Sequence, residues 1–110
     1  MSERFAEVVA RLEATIASRK GADPQSSYTA KLLAGGPPLA AKKFGEEAIE
    51  TALAAVQGDP DAIAAESADL IYHWLVLLTS VNVSLDEVAA KLEAREGTSG
   101  LAEKASRLKT

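Results

Sequence analysis

The stretch EEAIETALAAVQGDPDAIAAESAD, residues 46–69, sets two pairs of acids among small and apolar neighbours. Glu47 and Glu50 are spaced i,i+3, and so are Glu66 and Asp69. On a helix this spacing puts both members of a pair on one face, where like charges cost roughly 0.2–0.5 kcal/mol per pair. Gly58-Asp59-Pro60 lies between the pairs and is short enough to join two antiparallel helices. With the chain folding back at residue 59, the two pairs lie about two residues apart in level, only about 3 Å of helix rise. If the two faces turn toward each other, four carboxylates converge, and a cation is what would hold them there. Such hard oxygen donors suit Mg²⁺, with Mn²⁺ as a substitute, and leave positions for water and phosphate. Glu46, one residue outside the first pair, is placed to turn inward and support the site or polarise a water.

Two other readings account for the same acids. A glutamate on a helix is ordinarily a solvated surface residue, and the chain would then be a helical dimerisation module. A carboxylate-bridged di-iron bundle also uses facing acids, but it builds them from Glu and Glu-x-x-His pairs. The single histidine, His73, stands four residues after Asp69, which favours magnesium over iron. It gives His73 a packing or hydrogen-bonding role rather than a ligand's.

The elements that must position these residues follow from composition and pattern. A chain of 110 residues, with 47% hydrophobic and 25% charged residues, is one folded domain. It is small for a deep cleft in a lone monomer, so a homodimer is expected. Absence of cysteine removes disulfides, thiolate metal sites and cysteine nucleophiles, and suits a reducing compartment. A net charge of -4 argues against a general nucleic-acid binder, although a small cationic site is compatible with it. The N-terminal MSERFAEVVARLE interleaves charges with its apolar residues, unlike a signal peptide. The most apolar run, residues 70–78, is too short to span a bilayer. A soluble, cytoplasmic protein with no nucleic-acid or membrane partner is expected.

Phe5, Val8, Val9, Leu12 and Ile16 recur at helical spacing and predict a first helix over residues 3–19. In SSYTAKLLAGG, Ser26 or Ser27 caps a short helix stopping at Gly35 and Gly36, a segment that reads as linker rather than core. Pro37 and Pro38 open a third helix running to about Gln57. Asp59 caps a fourth, with Pro60 at its first position, reaching about Ser80. Ser84 caps a fifth, carrying Leu85, Val88, Ala89 and Leu92, and LAEKASR adds a last turn or two. No useful β-alternation appears, so the fold class is all-α: an antiparallel helical hairpin or bundle completed by homodimerisation. Trp74 reads as core rather than as a platform for stacking a base.

EEAIE, then a fifteen-residue spacer, then ESAD resembles the Glu-Glu-x-x-Glu, Glu-x-x-Asp signature of the all-α, MazG-like nucleoside triphosphate pyrophosphohydrolase superfamily. DPQSSYTAKLLAGG, AAKKFGEEAIETALAA, ESADLIYHWLVLL and SGLAEKASR narrow this, from Phe5 to Arg107, to a resemblance to the phosphoribosyl-ATP pyrophosphohydrolase family. The resemblance implies intertwined helical bundles in a homodimer. It also implies conversion of phosphoribosyl-ATP to phosphoribosyl-AMP and pyrophosphate, the second step of histidine biosynthesis. It makes Glu47, Glu50, Glu66 and Asp69 the expected magnesium ligands, with Glu46 beside them. A related house-cleaning enzyme acting on other nucleoside triphosphates is the alternative.

Such an acidic site repels a polyphosphate unless cations face it. Lys31, Lys42, Lys43, Arg95, Lys104 and Arg107 are the candidates, each also explicable as a surface ion-pair partner. Lys42 and Lys43 lie one turn before Glu46 and Glu47, within reach of a metal-bound phosphate. Ser27, Tyr28, Thr29 and Lys31 are expected to contact ribose or phosphate. Arg95, Ser99, Lys104 and Arg107 lie toward the C-terminus, which is expected to close over a site, in the partner subunit if the site is shared.

Overall fold

The computed structural model describes residues 3–97 together with Lys104 and Arg107. Five helices are defined among them, and no strand: α1 (Glu3–Ser18), α2 (Tyr28–Ala34), α3 (Gly36–Gln57), α4 (Pro60–Ser80) and α5 (Leu85–Glu93). Lys104 and Arg107 are helical and exposed, whereas Ser99 and most of LAEKASR lie outside the described residues.

The helix ends form where local chemistry stops the backbone ladder. Ser27 caps α2, its Oγ accepting from the Ala30 N–H at 3.1 Å. Gly58 ends α3 in the left-handed region at φ 77°, a conformation open to glycine, and its N–H reaches the Ala54 and Ala55 carbonyls. Asp59 then starts α4, accepting from Asp61 and Ala62 N–H groups at 3.1 and 3.3 Å, with Pro60 at the first position, where no donor is needed. Only Gly58 and Asp59 separate the two helices, so α4 runs back along α3. Thr51 joins them: its Oγ1 lies 2.8 Å from the Glu47 carbonyl one turn back and 3.1 Å from the Glu66 carbonyl on α4. A single hydroxyl shared between two helix backbones requires their close approach at the level of the acids.

The core is built from Ile16, Leu32, Ala40, Leu75 and Val76, with Leu12, Ile71, Tyr72, Trp74 and Leu85 packed around it. Trp74 is thus part of the core surround, as its apolar neighbours imply. The linker reading of α2 is corrected. Ala30 and Leu32 are 3% and 2% exposed, and Leu32 belongs to one core cluster with Ile16 of α1 and Leu75 and Val76 of α4. Seven residues offer too few repeats for the amphipathic pattern to stand out. At the other end of α4, Glu13 of α1 accepts from the Leu85 N–H at 2.8 Å, adding to a capping box between Ser84 and Glu87. Leu92, near the end of α5, is 60% exposed.

By length and mean hydropathy α4 is long and apolar enough to cross a membrane, a property that the run 70–78 alone does not have. A core helix meets the same criteria, and α4 lies along α3, supplies Leu75 and Val76 to the core and carries Glu66, Asp69 and His73. The radius of gyration is 16.0 Å, where a compact domain of this length has about 13 Å. Ile49, Leu53 and Val56 of α3, spaced i, i+4, i+7, are 64%, 55% and 85% exposed, an uncovered apolar stripe.

Because so few side chains are fully buried, each matters. Leu75→Ala is expected to lower unfolding free energy by about 2–5 kcal/mol, read as a fall in the midpoint of urea denaturation with an unchanged slope.

Candidate metal centre and active site

Glu47 lies on α3, and Glu66 and Asp69 on α4. One carboxylate oxygen from each falls within 4.8 Å of the others. Glu50 is exposed one turn from Glu47 and outside this trio, near enough to raise the pKa of both Glu47 and Glu66. The hairpin thus brings together three of the four acids that spacing paired by level, with Glu50 beside them. Glu46 is not in this set. It is exposed, and its Oε1 lies 3.6 Å from Lys43 Nζ, one turn back on α3.

The electrostatics of the cluster are those of charges held together against repulsion. The Glu47 pKa is raised from 4.5 by burial first, then by the hydrogen bond and charge of Glu50, then by Asp69 and Glu66. Glu66 is raised by burial, then by Glu50 and Asp69. Glu47 Oε2 and Glu66 Oε2 are buried without a hydrogen-bond partner. Two orphaned anionic oxygens among hard donors, spaced within a few ångströms, are what a small divalent cation satisfies, with Mg²⁺–oxygen distances of about 2.0–2.1 Å. The residues present fit that group.

His73 stands beside them at 7% exposure, with Nε2 3.9 Å from Glu47 Oε1. Burial lowers its pKa, Lys43 assists, and the charges of Asp69 and Glu46 oppose. Its ring meets Tyr72 and Tyr28 edge to face, at centroid distances of 4.9 and 6.5 Å. Spacing did carry a signal for this neighbourhood: Glu66, Asp69 and His73 stand at i, i+3, i+7, one face of α4. Thr51, the hydroxyl joining the two helices, carried none.

The expected substrate contacts divide. Tyr28 and Lys31 are exposed and, with Pro24, Gln25, Ser26 and Ser27, line an open cleft of about 540 Å³. The hydroxyls of Ser27 and Thr29 have structural partners, the first in the α2 cap and the second with the Tyr72 hydroxyl at 2.6 Å. Lys43 is close enough for its charge to act on His73, while Lys42 is exposed. Arg95 is exposed just beyond α5.

Carboxylates facing one another across a helical hairpin are an arrangement on which metal sites of helical bundles are built. The family profile described as phosphoribosyl-ATP pyrophosphohydrolase matches residues 9–96. A protein of Caulobacter vibrioides (strain NA1000 / CB15N) named phosphoribosyl-ATP pyrophosphatase is 67% identical over 107 residues, covering 97% of this chain and 99% of its own. Proteins of that name from Caulobacter sp. (strain K31) and Dinoroseobacter shibae are 69% and 62% identical, over 97% and 91% of this chain and 98% of each relative. The chain belongs to the phosphoribosyl-ATP pyrophosphohydrolase family, and is with it an enzyme that hydrolyses a pyrophosphate bond.

Glu47 carries a pKa above its unfolded value, so the native state holds a proton that the unfolded chain has released, and stability falls as pH rises through that interval. The penalty is absent below the unfolded value of 4.5 and complete above the raised one. In chelator, Glu47→Gln is therefore expected to melt above the parent at pH 7, with the gap closing as pH falls toward 4.5. A variant less stable than the parent at both pH values would contradict this.

Proposed function

We propose that this chain hydrolyses phosphoribosyl-ATP to phosphoribosyl-AMP and pyrophosphate, the second step of histidine biosynthesis, as a Mg²⁺-dependent, soluble, cytoplasmic homodimer. The observation that carries the metal dependence is the convergence of Glu47, Glu66 and Asp69, with buried unpartnered oxygens on the first two. The names of the relatives and the family profile support the substrate.

Glu47, Glu50, Glu66 and Asp69 are the residues that would hold Mg²⁺, which on binding supplies charge neutralisation at the triphosphate oxygens and acidifies a water. The chain's own groups do the rest. Water adds to phosphorus, the bond to the bridging oxygen between the α and β phosphates breaks, and the electron pair leaves with pyrophosphate. A carboxylate of the cluster, or Glu46 at its edge, takes the proton of that water. Lys43 faces the acids from one turn back on α3 and offsets phosphate charge. Lys31 and Tyr28 border the cleft that receives the ribose and phosphates, with Arg95, Lys104 and Arg107 supplying positive charge from the C-terminal side.

The stripe of Ile49, Leu53 and Val56 and the extended dimensions support a second copy of the chain as the cover for α3. Leu53→Glu is expected to shift the protein to a monomer in sedimentation equilibrium, and an unchanged mass would remove the stripe from the interface.

The direct test is pyrophosphate release with phosphoribosyl-ATP and with ATP, each with Mg²⁺ and with chelator. Turnover of phosphoribosyl-ATP alone, abolished by chelator, is expected. Comparable turnover of ATP would instead favour the house-cleaning activity, and release from neither would leave the acids as a solvated cluster. Glu47→Gln and Asp69→Asn are each expected to keep helical circular dichroism and lose at least about a hundredfold in kcat/KM, a loss of about 2.7 kcal/mol in transition-state stabilisation.

A further inference from the structure

His73 is buried like a core residue yet sits where chemistry is expected. Its Nε2 lies 3.9 Å from Oε1 of Glu47, an acid of the cluster, whereas Lys43 Nζ lies 3.6 Å from Glu46, outside it. The separation of 3.9 Å exceeds a direct hydrogen bond, and is short enough for a bridging water or a small rotation of Glu47. Glu47 Oε2 has no partner on its other side.

The imidazole is itself constrained. Tyr72 packs edge-on at 4.9 Å, and the Tyr72 hydroxyl is fixed at 2.6 Å by Thr29 of α2. Tyr28, the neighbour of Thr29, closes a second edge at 6.5 Å. A line of contacts therefore runs from the cleft-lining helix α2, through Tyr72 and His73 of α4, to Glu47 of α3. Apolar packing alone does not require a nitrogen at its end.

We infer that His73 is a positioning residue: braced by Tyr28 and by the Thr29–Tyr72 hydrogen bond, its Nε2 orients the Glu47 carboxylate for cation binding. The inference rests on the reading of the acids as a metal centre. It gives α2 a second task, since the helix that borders the cleft also sets the acid cluster. Groups that orient a ligating side chain typically change metal affinity by 10–100-fold when removed.

The test uses Mn²⁺ as the probe, titrated into protein without substrate and followed by the loss of the free-ion electron paramagnetic resonance signal. His73→Phe keeps a ring between Tyr28 and Tyr72 but no nitrogen, and is expected to weaken Mn²⁺ by about 10–100-fold. His73→Asn restores a donor and is expected to recover part of the loss, which a purely packing role would not produce. Tyr72→Phe removes the hydroxyl held by Thr29 while leaving the ring, and is expected to weaken Mn²⁺ less, but in the same direction. If His73→Phe fails to fold, Tyr72→Phe decides. Parent-like affinity in the folded variants would overturn the inference while leaving the metal centre standing. A parent that binds no Mn²⁺ would overturn both.

Discussion

Repulsion among Glu47, Glu50, Glu66 and Asp69 is the constraint to which the rest of the structure answers. Burial raises the pKa of Glu47 and Glu66, and the nearby charges of Glu50 and Asp69 raise both further. Left alone they would be separated by rotation of side chains or splaying of helices. The hairpin resists the splaying. Its turn is two residues long, both ends are capped, and Thr51 holds the α3 and α4 backbones together beside Glu47 and Glu66. The chain thus maintains an arrangement that like-charge repulsion opposes, and on which the proposed cation binding rests.

That arrangement explains how the buried surface is distributed. The core gathers α1, α2 and the C-terminal half of α4 around Ile16, Leu32, Leu75 and Val76, away from the α3–α4 turn. The acids lie at the edge of this core, where Glu47 and Glu66 are half-buried and Glu50 and Asp69 reach solvent. A site sunk fully into the core would cost too much desolvation for four charges. One spread on an open surface would lose the close spacing that a small cation needs.

Family membership and geometry answer different questions. The profile match and the Caulobacter and Dinoroseobacter relatives establish which family the chain belongs to. The distances say which atoms are positioned to act, and they separate residues that the sequence signature treats alike. Glu46 and Glu47 are adjacent in the chain, yet one pairs with Lys43 at the surface and the other turns into the cluster. Ser27 and Thr29 lie beside the cleft, yet their oxygens serve a helix cap and a contact with Tyr72.

The sequence by itself determined the helices and the pairing of the acids, because caps, prolines, glycines and i,i+3 spacing are local features. Asp59-Pro60, Ser84 with Glu87, and Gly58 act through neighbours a few residues away, and the short turn forces the two acid pairs to one level. Tertiary structure alone decided which way each helix faces. That choice made α2 a core element rather than a linker, since Leu32 shares the core cluster with Ile16, Leu75 and Val76 from distant parts of the chain. It also sent Glu46 outward and brought His73 to Glu47. These outcomes depend on helix rotation and on contacts such as Thr29 with Tyr72, which are 43 positions apart. Packing sets them, and no local pattern in the chain encodes packing between distant segments.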